Sequence, residues 1–130
     1  MQAVALVFLS SSAIAVSFPT EFRGSWSGDL AGCEPEFTQG YKIRADTIHY
    51  YEGTDKIYGV SHVTNIKSPA GHGRTMIAKL RYKFHDEAST STERFTVVGQ
   101  WLYRSDAKLP LGKHLLPANR KIRCPSGSTG

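Results

Sequence analysis

The side chains able to do chemistry are few and scattered. Two cysteines stand at Cys33 and Cys124, and five histidines at His49, His62, His72, His85 and His114. A structural zinc site needs four ligands, usually with some at short spacing. These residues lie too far apart in sequence to suggest one, so neither metal nor cofactor is expected. Serine, histidine and aspartate are present, but there is no G-x-S-x-G nucleophile elbow and no glycine-rich phosphate loop. A non-enzymatic role is the expectation.

Four clusters remain as candidates for binding. Lys79, Arg81 and Lys83 alternate with apolar residues and should project from one side of a strand, with Arg74 preceding them. They form a candidate anion-binding face; a solvated strand face would look the same. Tyr50 and Tyr51, with Tyr58 nearby, could line a ligand mouth, although tyrosines alternating between core and surface explain them equally well. Ala70-Gly71-His72-Gly73-Arg74 could let the backbone approach an anion, or be a plain hairpin loop. Asp86-Glu87 beside His85 reads as a solvated turn rather than an acid/base pair.

The elements that must position these residues read as strands. Period-2 alternation dominates and no segment carries a clear helical period. In Thr75 to His85, Met76, Ala78, Leu80, Tyr82 and Phe84 fall on one face, and Thr75, Lys79, Arg81, Lys83 and His85 on the other. Glu93 to Arg104 reads as one long strand with Phe95, Val97, Gly99, Trp101 and Tyr103 on the core side. Met76, Leu80, Tyr82, Phe84, Phe95, Val97 and Trp101 are the expected shared core. Further strands are expected over Phe22 to Ser27, Tyr41 to Ala45, Thr47 to Tyr51, Lys56 to Ile66 and Asn119 to Cys124. Gly59 suggests a bulge. The polar stretch Asp86 to Thr92 reads as a loop. About seven strands in up-and-down order bury one face by curling into a small barrel. A two-sheet sandwich is the alternative.

Of the 130 residues, 1–15 are expected to be a signal peptide and 16–130 a single β-barrel-like domain. Ala3 to Val16 is apolar or small, too short for a comfortable membrane span, and contains the small-x-small motif Ala13-Ile14-Ala15. No Lys or Arg precedes it, a departure from the usual pattern. The expected product is secreted or periplasmic, with no transmembrane segment once the signal is removed. In an oxidising compartment, Cys33 and Cys124 are expected to pair. The basic excess, 16 Lys and Arg against 11 Asp and Glu, is uneven. Acidic residues gather between Glu21 and Glu36, whereas Lys67 to His85 holds no acid and Arg104 to Arg123 only Asp106. Such segments suit solubility or an anionic partner.

Phe22-Arg23-Gly24-Ser25-Trp26 resembles the opening of lipocalin-like barrels. The resemblance implies a barrel base closed by Gly24 and Trp26 beneath an arginine of the final strand. Arg120 and Arg123 stand in that region, and an indole face accepts a guanidinium well. The wider layout is similar to small uncharacterised secreted bacterial proteins. It shares a Trp then a Cys near the mature N-terminus, the Ile43 to Glu52 stretch, and Arg123-Cys124-Pro125 near the end. This implies a fold and a compartment, not an activity. The chain is shorter than lipocalins and shows no clear helix before the last strand.

Together these features lead to the expectation of a monomeric, non-catalytic binding or inhibitory module. It would engage an envelope protein or an anionic glycan. A lipocalin-like carrier of a small apolar ligand, or an enzyme of unknown type, are the alternatives. Export argues against nucleic acid as partner.

Overall fold

Alternating apolar and polar residues give one antiparallel sheet that closes on itself. The computed structural model describes residues 16–33, 39–53, 56–68 and 74–125. The expected signal peptide and the His72 loop, apart from Arg74, lie outside the described residues. Eight strands follow one another around a closed barrel: β1 (Gly24–Ser27), β2 (Gln39–Ile43), β3 (Thr47–Glu52), β4 (Ile57–Lys67), β5 (Thr75–Phe84), β6 (Glu87–Val98), β7 (Trp101–Asp106) and β8 (Arg120–Arg123). Every neighbouring pair is antiparallel, and β1 closes the ring on β8 through Trp26 opposite Arg123 and Ser27 opposite Ile122. The all-β barrel is therefore the architecture, not the sandwich. Closure removes the exposed sheet edges that would otherwise invite pairing.

The strand count exceeds the expected seven because Glu93 to Arg104 is not one strand. The chain reverses at Gly99-Gln100, where Val98 pairs with Trp101. Gly99 takes φ +59°, which a two-residue hairpin turn favours. The reversal changes which side chains face inward. Val97 now lies opposite Leu102, and Phe95 opposite Arg104. Leu102 is fully buried and belongs to the core, whereas Trp101 and Tyr103 lie on the outer side. Trp101 is only half-buried and stacks on Arg120 at 3.9 Å.

Asp86 to Thr92 is likewise strand rather than loop. Only His85-Asp86 turns, with His85 at φ 53°, and Phe84 pairs with Glu87. Residues 87–92 are exposed on both faces because β6 runs on past the end of β7, where Glu93 pairs with Asp106. No alternation is needed where neither face is covered. On β5, Met76, Ala78 and Leu80 are buried as expected, while Tyr82 and Phe84 are half-buried beyond the rim. Thr75, expected outside, is buried. On β4 the register slips opposite Tyr50 and Tyr51, leaving Tyr58 unpaired beside Gly59. A Cβ at Gly59 would collide with the Tyr82 ring.

The core fills the end of the barrel formed by the chain's first turn. Phe18, Phe22, Trp26, Met76, Phe95 and Ile48 are essentially inaccessible there. Between β7 and β8 lie a single helical turn, α1 (Leu111–His114), and a 3-10 turn at Pro117–Asn119. Cys33 and Cys124 are joined by a disulfide, with Cα atoms 5.6 Å apart and a sequence separation of 91. Closing a loop of that length stabilises the fold by roughly 4–5 kcal/mol in the chain-entropy model. No helix among the described residues is long and apolar enough to cross a membrane.

Candidate functional site: a basic outer wall and a tyrosine-lined mouth

At the closed base, Arg123 lies over the Trp26 ring at 4.1 Å. Its Nη1 donates to the Arg23 carbonyl at 2.8 Å and its Nη2 to the Glu21 carbonyl at 2.6 Å. Trp26 Nε1 donates to the Phe22 carbonyl at 3.0 Å. Gly24 sits at φ +127°, and a Cβ there would stand 3.0 Å from Arg123 Nη1. Small size and left-handed backbone are both required at that point. Burial, then Arg74, lower the Arg123 pKa. Arg74 is thus near the base and does not join the row on β5. Lys79 is five residues further along, about 16 Å away at about 3.3 Å per residue.

That row is Lys79, Arg81 and Lys83, all exposed on one face. Their partners in register are Asn65, His62 and Val60 on β4, and Thr92, Thr90 and Ala88 on β6. None is acidic, so the three cations face neutral or basic neighbours. The next strands around the wall bring no acid in register either: His49 pairs with Val60, and Lys42 with His49. Burial first, then Arg44, His62 and Lys42, hold the His49 imidazole below its ordinary pKa. Beside the row lies an open trough of about 770 Å³, lined by Thr64, Lys79, Thr90, Ser91, Thr92 and Lys108 among others. Two ammonium groups and several hydroxyls therefore border one surface depression. Asp106 is the acid there, with its Oδ1 accepting from the Lys108 N–H at 2.8 Å.

The other end of the barrel is the mouth. Tyr50, Tyr51 and Tyr58 all line one depression of about 430 Å³, together with Tyr41, Lys121 and Glu52. Tyr50 points into the barrel. Tyr51 faces outward and packs against the disulfide at the edge of the depression. Tyr50 is the hub of the rings, with centroids 6.1 Å from Tyr41, 6.1 Å from Tyr58 and 5.6 Å from Tyr82.

Beneath the rings lies a polar group that the sequence did not reveal. Arg104 donates from Nε to Glu93 Oε1 at 2.5 Å and from Nη2 to the Tyr50 hydroxyl at 2.5 Å. The Tyr50 hydroxyl is 2.9 Å from Ser61 Oγ. Arg104 also lies 4.9 Å from the Tyr41 ring centroid and 5.1 Å from that of Phe95. Burial pushes the Glu93 carboxyl up, but the Arg104 charge and hydrogen bonds from Arg104 and Ser91 outweigh it and hold it low. Burial pushes the Tyr41 phenol up to about 12. Lys121, opposite Leu102 on the inner side, is half-buried with Nζ 5.7 Å from the Tyr41 ring. Burial and then the Arg104 charge lower its pKa. The sign of this interior was hidden by the turn at Gly99-Gln100, which alone brings Arg104 inward.

A third group is sealed under α1. His114 is 0% exposed, its Nε2 2.9 Å from Thr96 Oγ1 and its Nδ1 2.6 Å from Ser105 Oγ. Thr96 Oγ1 is 3.0 Å from Thr75 Oγ1. This chain buries Thr75 and Thr96 on the outer side of the sheet. Burial, then Arg94, hold the imidazole at about 4, so it is neutral near pH 7. Both ring nitrogens are occupied by hydroxyls and solvent does not reach them. The group fastens α1 to the barrel rather than presenting a nucleophile. Among the described residues, no three His, Cys, Asp or Glu side chains gather as a metal site.

No protein-family model, curated protein or solved structure matches this chain.

Proposed function

We propose that this is a non-catalytic binding module of the periplasm or extracellular space, whose outer wall engages an anionic glycan. The observation that carries the reading is the line of Lys79, Arg81 and Lys83, exposed and faced in register by no carboxylate. Successive charges on one strand face are about 6.5–7 Å apart. That is within a Debye length at physiological salt, so the three act jointly on a polyanion. The hydroxyl-lined trough beside Lys79 suits a polyhydroxylated chain. The disulfide fits an oxidising compartment and supports export. The stacking of Arg123 on Trp26 above Gly24 supports kinship with lipocalin-like barrels. An apolar cargo fits less well, since the barrel end behind Trp26 is filled by side chains and the other end holds an ion pair.

The test is retention on immobilised sulfated polysaccharide at low salt. The wild type should elute later than Lys79→Glu/Arg81→Glu/Lys83→Glu. A control reversing the exposed Arg44, Arg74 and Lys113, which lie away from the row, should elute close to wild type. Equal loss in both variants would mean that only net charge matters. Retention on an acidic protein but not on the polysaccharide would transfer the wall to a protein partner.

A further inference from the structure

The mouth carries a positive charge that the outer wall does not use. Within the described part of the barrel, Glu93 is the carboxylate that pairs with Arg104, and that is the one ion pair found. Lys121 stands beside this pair, and among the described residues it makes no ion pair. Among the described residues, Arg104 has its carboxylate partner and the Lys121 ammonium on the wall of the depression has none. The direction of the Lys121 shift agrees: burial and Arg104 both disfavour its charged form, and no carboxylate among the described residues restores it. A bound anion would restore it, because an opposite charge at short range favours the ionised amine.

The rest of the depression specifies the body attached to that anion. Tyr41, Tyr50 and Tyr58 present ring surface, and Tyr58, set out by the bulge at Gly59, is 43% exposed. Aromatic surfaces prefer offset or edge-to-face contact with another ring. The volume of about 430 Å³ falls in the range of small-molecule sites. Glu52 lines the same depression and is exposed. Its carboxylate opposes a second negative charge on the outer end of a ligand. We propose that the mouth is a second binding site, separate from the glycan-binding wall, for a small aromatic monocarboxylate. The carboxylate lies toward Lys121, and the ring lies against Tyr50 and Tyr58.

Benzoate is the probe, followed through the tyrosine ring signals by NMR on the oxidised protein. Benzoate should give saturable shifts of Tyr50 and Tyr58. Benzyl alcohol, which lacks the charge, and acetate, which lacks the ring, should bind at least tenfold more weakly. Lys121→Met should weaken benzoate at least tenfold, and so should Tyr58→Ala, whose exposed side chain can be removed with the fold intact. The outer-wall triple variant Lys79→Glu/Arg81→Glu/Lys83→Glu should bind benzoate within twofold of wild type. Unchanged benzoate binding in both single variants overturns the proposal. Equal binding of acetate and benzoate overturns the aromatic part and leaves an anion site. Loss of benzoate binding in the triple variant alone overturns the separation of the two sites.

Discussion

The two ends of this barrel each set an arginine against aromatic rings, and they use it for opposite ends. At the base, Arg123 lies on Trp26 and gives two of its hydrogen bonds to the backbone carbonyls of Arg23 and Glu21. Those acceptors do not titrate, and they belong to the segment that plugs the barrel. At the mouth, Arg104 lies among Tyr41, Tyr50 and Phe95, but its partner is the carboxylate of Glu93, and a further cation, Lys121, is close behind. Neutral acceptors make a seal; at the mouth the partner titrates and a further cation stands beside the pair. Cation and ring alone therefore do not distinguish the two ends. The groups that complete the hydrogen bonding do.

The comparison can be broken most forcefully at the base. Trp26→Ala should destabilise the protein by about 3–5 kcal/mol, as aromatic core truncations do. Denaturant melts measure it, and a loss under 1 kcal/mol would mean the base is not sealed by this stack. At the mouth, Glu93→Gln leaves Arg104 buried without its carboxylate and should cost roughly 3 kcal/mol. Replacing Arg104 and Glu93 together by leucine should cost less than the single change, because no orphaned charge remains. If the double variant is the less stable, the pair is a strong net contributor rather than a polar insertion in the core.

Acid sharpens the contrast. His114 has a folded pKa near 4, below the ordinary 6.5, so the unfolded chain takes up the proton first. Its contribution is complete above about pH 6.5, declines as pH falls toward 4, and changes no further below that. A difference of that size corresponds to on the order of 3 kcal/mol. His114→Gln should flatten this part of the stability curve. Glu93 is also held below its ordinary value, so its contribution is present above about pH 4.5 and is lost as pH falls through its folded pKa. In the His114→Gln background the remaining acid loss should shrink on adding Glu93→Gln. Base variants such as Arg123→Met should leave its slope unchanged. The smallest effects are expected on the outer wall, where Lys79→Ala or Arg81→Ala should change stability by less than about 0.5 kcal/mol.

Much of the barrel was legible in the sequence because alternation is written wherever one face of a strand is covered. Met76, Ala78 and Leu80 carried that signal, and Gly59 marked its bulge. It failed at two places for related reasons. At Gly99-Gln100 a two-residue turn preserves an apparently continuous run of β-forming residues, so Trp101 stood in the core position that Leu102 holds. The glycine was the available clue. In residues 87–92 both faces meet solvent, so a strand carries no apolar face to read. The site residues divided in the same way. Lys79, Arg81 and Lys83 follow from parity within one strand. The meeting of Arg104, Glu93, Tyr50 and Lys121 needs the registers of several strands, which local pattern does not encode.

The disulfide has a mechanical consequence. Cys33 follows β1, and Cys124 follows β8, so β2 through β8 lie inside one covalent loop while β1 lies outside it. A tensile load applied ahead of β1 and beyond Cys124 would pass from Cys33 to Cys124 through the sulfur atoms. The strands from β2 to β8 would be shielded from that force. The load would fall on β1 alone, peeling Trp26 from beneath Arg123 and opening the ring at its shortest seam, where β1 and β8 share two registered pairs.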